Sequence, residues 1–140
     1  MPFETINISS IESTIRRKAG KLDDRCKASV AAGAKVLRDA LRERLEEQNV
    51  SGRATGGLAR SIKADAPDIT AADGCYSDVH PDGTDEHGTR YAEIGGVLEY
   101  GRISGSRRVA HYPWMAPTVE LERANVTAAI RTEFEKGAED

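Results

Sequence analysis

The sequence predicts an α+β fold: a long N-terminal helix, an antiparallel β-hairpin or small sheet, a short middle helix and a C-terminal helix. Three observations predict it. Apolar residues recur at intervals of three, four or seven over the first third of the chain. Turns rich in glycine, proline and aspartate punctuate residues 51–89. A proline-flanked Trp114 then introduces a second helical stripe that runs almost to the end. The periods are those of helix faces, and the turn residues are those that break them. With 140 residues, no internal repeat and no linker, a single domain over 1–140 is expected.

The first helix is expected over 9–48. Ile8, Ile11, Ile15, Leu22, Cys26, Val30, Leu37, Leu41 and Leu45 mark one face. Ser9 is the expected N-cap, with Glu12 three residues on completing a capping box. Unbroken, such a helix spans ~55–60 Å at 1.5 Å per residue, more than the rest of the chain easily covers. Gly20 and Gly33 each cost up to ~1 kcal/mol relative to alanine and mark places for a bend. Two readings follow. A continuous rod leaves part of its seam for a neighbouring subunit; a break at Gly20 lets the first piece fold back. Leu37, Leu41 and Leu45 lie on the seam, as subunit contacts or as anchors.

Three glycines within Ser51–Gly57 end this helix. The segment is no phosphate loop, since it lacks the Gly-Lys-Ser/Thr ending and no strand precedes it. An antiparallel hairpin is expected over 58–80. Leu58 to Ala66 reads as its first strand, with Leu58, Ile62 and Ala64 on one face, although Arg60 interrupts that face. Pro67 and Asp68 close it. Ile69 to Val79 reads as the second strand, with Ala72-Asp73-Gly74 as a turn or bulge. His80 to Thr89 is a polar loop. A short helix is expected over 90–101, with Tyr91, Ile94, Val97 and Leu98 on its face and Gly101 as its breaker. Residues 102–112 read as a basic loop. The C-terminal helix is expected over 115–137, from the spacing of Met115, Val119, Val126, Ile130 and Phe134, with Pro117 in its first turn.

Composition narrows the function. Hydrophobic residues make up 39%, aromatic residues 5% and charged residues 31%, and the mean hydropathy is −0.53. Large side chains dominate core burial, so a chain this poor in them is one that a partner can help to complete. A net charge of −3 argues against gripping a phosphate backbone, which takes a basic excess. Cys26 and Cys75 stand in no metal-like spacing and read as reduced thiols. No signal peptide and no apolar run of ~18 residues is visible, so a soluble product made inside a cell, with no membrane partner, is expected.

The chemistry-bearing clusters are weak. Asp78, His80, Asp82, Asp85, Glu86 and His87 lie within ten residues, but their spacing fits no metal motif; a solvated turn on Pro81-Asp82-Gly83 is the favoured reading, with a metal-dependent hydrolase as the competing one. Ser61, Ser104 and Ser106 lack a nucleophile-elbow context, Cys75 and His80 imply no paired geometry, and Glu93 and Glu99 are poorly spaced for a pair on one helix. No catalytic residue, cofactor or metal is expected. Arg102, Arg107 and Arg108 form a basic loop, read as an ordinary exposed loop in a lone chain and as one suited to DNA phosphates or an acidic partner where it faces a channel. Trp114 and Met115 either anchor the last helix or sit at a subunit interface, where tryptophan is enriched.

Taken in order, these segments resemble a known family. Thr55-Gly-Gly-Leu58 followed by Ser61-Ile62 resembles a TG-x-L-x-x-S-(I/L) signature after a long helix. Arg90-Tyr-Ala-Glu-Ile-Gly-Gly-Val-Leu-Glu-Tyr-Gly101 resembles an AEI-x-x-V-x-E-(Y/F)-G-T segment. Tyr112-Pro-Trp-Met-Ala-Pro117 with Glu120 resembles a P-(F/W)-(I/L/M)-x-P-A-x-E entry into a final helix, and Asp78–Thr84 resembles a V-x-P-x-G-T turn. The family is that of the head–tail joining, neck or tail-completion proteins of long-tailed double-stranded-DNA phages. The likeness covers about residues 9–137. It departs at Arg102, where threonine is usual, and at Thr118, where alanine is usual.

The resemblance implies a structural virion protein at the head–tail junction. It implies a homo-oligomeric ring of six or twelve copies between the head connector or head-closure protein and the tail terminator or tail tube. Genomic DNA would pass through it with transient, non-specific contact. A tail terminator ring capping the tube, or a small DNA-binding regulatory protein using Arg107 and Arg108, are the alternatives.

Overall fold

A computed structural model describes residues 8–47, 55–104, 107–109 and 112–138. Helix α1, Ile8–Glu47, is continuous over 40 residues, ~60 Å at 1.5 Å per residue. The helix is therefore continuous, with no break at Gly20. The chain is already helical at Ile8, so Ser9 lies inside the helix and is not its N-cap.

Residues 58–80 differ most from expectation. Thr55–Ser61 is a short helix, α2, rather than the start of a strand. Four three-residue strands follow: β1, Ile62–Ala64; β2, Asp68–Thr70; β3, Gly74–Tyr76; and β4, Val79–Pro81. They form one nested antiparallel excursion. The outer pair joins β1 to β4, with Lys63 opposite His80, and the inner pair joins β2 to β3, with Ile69 opposite Cys75. Asp65 N–H donates to Asp78 O at 2.8 Å and Asp82 N–H to Ser61 O at 2.9 Å, extending the outer ladder at both ends. Gly74 takes φ 72° at the inner turn, a region open to glycine at little cost.

Helix α3, Tyr91–Tyr100, ends at Gly101 with φ 72°, whose N–H donates to Val97 O, in agreement with the expected breaker. Strands β5, Arg102–Ser104, and β6, Arg107–Val109, pair antiparallel. The expected basic loop over 102–112 is thus a two-stranded ribbon. Helix α4, Met115–Ala138, carries the C-terminal stripe.

The α1–α4 pair is the spine. Ala40 and Arg44 of α1 lie by Thr118, Gly33 by Val126 and Ile130, and Arg25 by Phe134 and Gly137, so the helices run antiparallel. Small residues on α1 allow the approach. Ser29 is buried, and its hydroxyl donates to Arg25 O at 2.7 Å. A Cβ on Gly33 would come within 2.6 Å of Ile130 Cγ1, whereas one on Gly20 would meet nothing within 4 Å. The two glycines therefore have opposite predicted responses. Gly20→Ala is expected to stabilise the chain by up to ~1 kcal/mol through helix propensity. Gly33→Ala is expected to destabilise it by about 1 kcal/mol, because overpacking exceeds that gain. Urea unfolding of the two variants checks both signs.

One hydrophobic cluster closes the end opposite the N-terminus. Leu41 and Leu45 of α1 meet Leu58 and Ala59 of α2, Ile62 of β1 and Trp114, with Leu37, Val79, Ile94, Leu98 and Met115 packed around them. The Arg42 guanidinium crosses from α1 to donate to Ile62 O from Nε at 3.0 Å and Nη2 at 2.5 Å. That bond ties the strand excursion to the rod.

Candidate functional site

Two places on this fold stand out. The first is the junction where the motif segments meet. Trp114 is 1% exposed, and its indole Nε1 donates to Gly95 O at 2.9 Å. Gly95 leaves room for it: a Cβ there would lie 2.9 Å from Trp114 Cζ2 and 3.6 Å from Leu58 Cδ1. Gly57 gives way in the same manner to Tyr91, whose hydroxyl would lie 2.7 Å from a Cβ. The Thr55–Ile62, Arg90–Gly101 and Tyr112–Pro117 segments, remote in sequence, are thus mutually fitted around one indole.

Glu99 holds the same junction together. It is 6% exposed, and its carboxylate accepts the N–H groups of Trp114 at 2.6 Å, Met115 at 2.7 Å and Ala116 at 3.0 Å. These are groups that a helix start leaves without intrahelical partners. Neither Pro113 nor Trp114 has a side chain able to cap α4, so α3 supplies the cap. The helix start also favours negative charge. Thr118, where the resembling family has alanine, is 4% exposed and donates from Oγ1 to Trp114 O at 2.6 Å. It fits the site rather than disturbing it. Of the residues singled out in the sequence, Trp114, Leu41 and Leu45 are buried in the chain's own core, and Leu37 and Met115 pack against it. They act here as anchors. The clamp by Glu99 was not legible from its spacing to Glu93.

The acidic loop is consumed by turn architecture. Asp85 Oδ1 accepts the N–H groups of His87 and Thr89, both at 2.9 Å. Asp82 takes Lys63 at 3.0 Å, which holds its carboxyl below the ordinary range. Among the described residues no group of three or more His, Cys, Asp or Glu side chains is placed to hold a metal ion. His80 bridges the strand excursion: Nε2 meets Asp65 Oδ1 and Nδ1 meets Pro81 O, each at 2.9 Å. Two acceptors suit the imidazolium, which donates from both nitrogens. The bond to Asp65, then that to Pro81 O, raises the His80 pKa above its usual 6.5. Its contribution to stability is therefore complete below pH 6.5 and is lost as pH rises through the raised value. Thermal melts should show the deficit of His80→Ala on the acid side of that window and its disappearance as pH rises past the raised value.

The second place is the free half of α1. From Ser9 to Leu22 every side chain but Thr14 is exposed, over about 20 Å at 1.5 Å per residue. Ile11, Ile15 and Leu22 are 46%, 61% and 48% exposed, at the spacing of one helix face. α4 ends beside Arg25, where the guanidinium stacks 4.0 Å from the Phe134 ring centroid and donates to Phe134 O. The apolar seam runs on past that point without a cover from this chain among the described residues. At the far end, a shallow cleft lies between α1 and α4. Glu43, Arg44, Glu47, Leu121 and Glu122 line it, together with Ala40 and Thr118.

The ribbon places Arg102 opposite Val109, Ile103 opposite Arg108 and Ser104 opposite Arg107. Tyr112 N–H donates to Leu98 O at 2.7 Å, so the ribbon leaves and rejoins the body at the C-terminal end of α3. No helix among the described residues is long and apolar enough to cross a membrane. Comparison with models of known families, with curated proteins and with solved structures finds no match.

Proposed function

We propose that this chain is a non-catalytic structural subunit of a ring at the head–tail junction of a long-tailed phage particle, linking head connector to tail and letting DNA pass. The observation that carries the reading is the uncovered half of α1. A helix of 40 residues with exposed Ile11, Ile15 and Leu22 presents apolar surface that no other described residue of the chain covers. Exposed apolar residues aligned on one face of such a helix suit an interaction site.

Two further features support it. Three of the four sequence segments that resemble the head–tail joining family meet at Trp114, so their joint occurrence has a physical reason. The Arg102–Val109 ribbon joins the body through the end of α3 and the start of the Tyr112 segment. Arg102, Arg107 and Arg108 thus share one short backbone ribbon, a basic segment suited to a channel wall or an acidic neighbour.

The test is disruption of the gene in the cell that makes the particle. Separate filled heads and finished tails, together with detection of the chain in intact wild-type particles, are expected. Normal joined particles from the disrupted strain would remove the reading.

A further inference from the structure

We infer that the free half of α1 docks into the α1–α4 cleft of a second copy of the same chain, head to tail. The occupant is named by complementarity between two surfaces of this molecule. Over Ser9–Leu22 the charged residues are Arg16, Arg17, Lys18 and Lys21 against Glu12, four positive and one negative. The cleft carries Glu43, Glu47 and Glu122 against Arg44, three negative and one positive. Each surface also has an exposed apolar centre: Ile15 is 61% and Leu121 72% exposed.

The minority charges match as well. Arg44 Nε is buried with no hydrogen-bond partner in the chain, and a buried unsatisfied donor is costly. Glu12 of an incoming rod is an acceptor of the right sign for the Arg44 guanidinium. Arg16, one turn further along that rod, faces the neighbouring glutamates. Charged pairs at such a rim set register and partner choice.

The fold forbids an intramolecular version. The middle of the free half and the cleft are ~27 residues apart on one continuous helix, ~40 Å at 1.5 Å per residue. A rigid rod cannot bring its own two ends together, so the contact must be between copies. It is heterologous, using different surfaces on the two partners, and such contacts close into rings or grow as filaments according to their rotation. This deepens the ring reading and relies on it only for closure.

Sedimentation velocity at low and high salt tests the inference on the full chain. Wild type is expected to self-associate with rising concentration, less so in high salt, as screening weakens the charged contacts. Arg16→Glu/Lys18→Glu/Lys21→Glu on the rod, or Glu43→Lys/Glu47→Lys at the cleft, should each weaken association at least ten-fold. All five residues are exposed, so circular dichroism should be unchanged. An equimolar mixture of the two variants should recover association, because the unaltered rod of one meets the unaltered cleft of the other and the two reversed surfaces are again opposite in charge.

Wild type that stays monomeric throughout, variants that associate like wild type, or a mixture that associates no better than either variant alone would each overturn the inference. The two claims fail separately. Head-to-tail association by a chain absent from tailed particles removes the junction reading and leaves the docking. Particles that contain the chain and join normally with both sets of reversals remove the docking and leave the reading.

Discussion

Trp114→Ala is expected to cost about 3–5 kcal/mol of unfolding free energy, the range for truncating a buried aromatic. The side chain is 1% exposed and belongs to the single cluster joining α1, α2, β1 and the start of α4. Gly95, shaped to receive the ring, cannot fill the vacancy, having no side chain of its own. Against a typical total of about 5–15 kcal/mol, the loss is large, and the melting temperature should fall by on the order of 10 °C. Trp114→Phe separates the two roles of the residue. It keeps most of the apolar surface but strands Gly95 O, which now accepts the indole N–H at 2.9 Å, and should cost about 1–2 kcal/mol. Urea midpoints with unchanged slopes would report both as changes in stability. A loss under about 1 kcal/mol for Trp114→Ala would contradict the central place given to this side chain.

Glu99→Ala is expected to cost about 3 kcal/mol, more than the ~1 kcal/mol of an ordinary N-cap. The carboxylate accepts three backbone N–H groups at 2.6–3.0 Å from a site 6% exposed. Charge-assisted hydrogen bonds are the stronger kind, and the freed N–H groups cannot all reach water. Glu99→Gln keeps the shape but turns an amide N–H2 toward donors. It should lie about halfway between wild type and alanine. The residue-level readout is amide hydrogen exchange. Protection at Trp114, Met115 and Ala116 should fall first and furthest in both variants. Protection there equal to that of wild type would show that α4 is held by its packing on α1 alone.

These two residues also mark what the sequence did and did not reveal. Trp114 was conspicuous as the only tryptophan between prolines, though its partners were not. Glu99 was passed over because its spacing to Glu93 suits no pair on one helix. The informative signal lay elsewhere, at the start of α4. No Ser, Thr, Asp or Asn stands before Met115, so the cap had to come from another element.

The misassigned start of the hairpin had a similar signal. Arg60 spoilt the alternation of a strand through Leu58, Ile62 and Ala64. In a helix, Leu58 and Ser61 share a face, and both are buried together with Ala59 while Arg60 is exposed. The nesting of β1–β4 around β2–β3 depends on pairings between distant residues that short strands do not advertise. The pairing of Arg102–Ser104 with Arg107–Val109 had no strand-like alternation to announce it, and the density of arginines favoured a loop reading. The long helices were legible because period survives over many turns; α1 kept Gly20 and Gly33 without breaking, the latter for close packing against Ile130.

The account rests on the free half of α1 being covered by a neighbouring copy within a closed junction. Cryo-electron microscopy of the head–tail junction in particles from the encoding cell tests this most directly. The account predicts a symmetric ring in which residues 9–22 of each rod lie against Leu121 and the Glu43–Glu47 face of the next subunit. A junction built without this chain, or one in which those rods stand clear of every other copy, would contradict it.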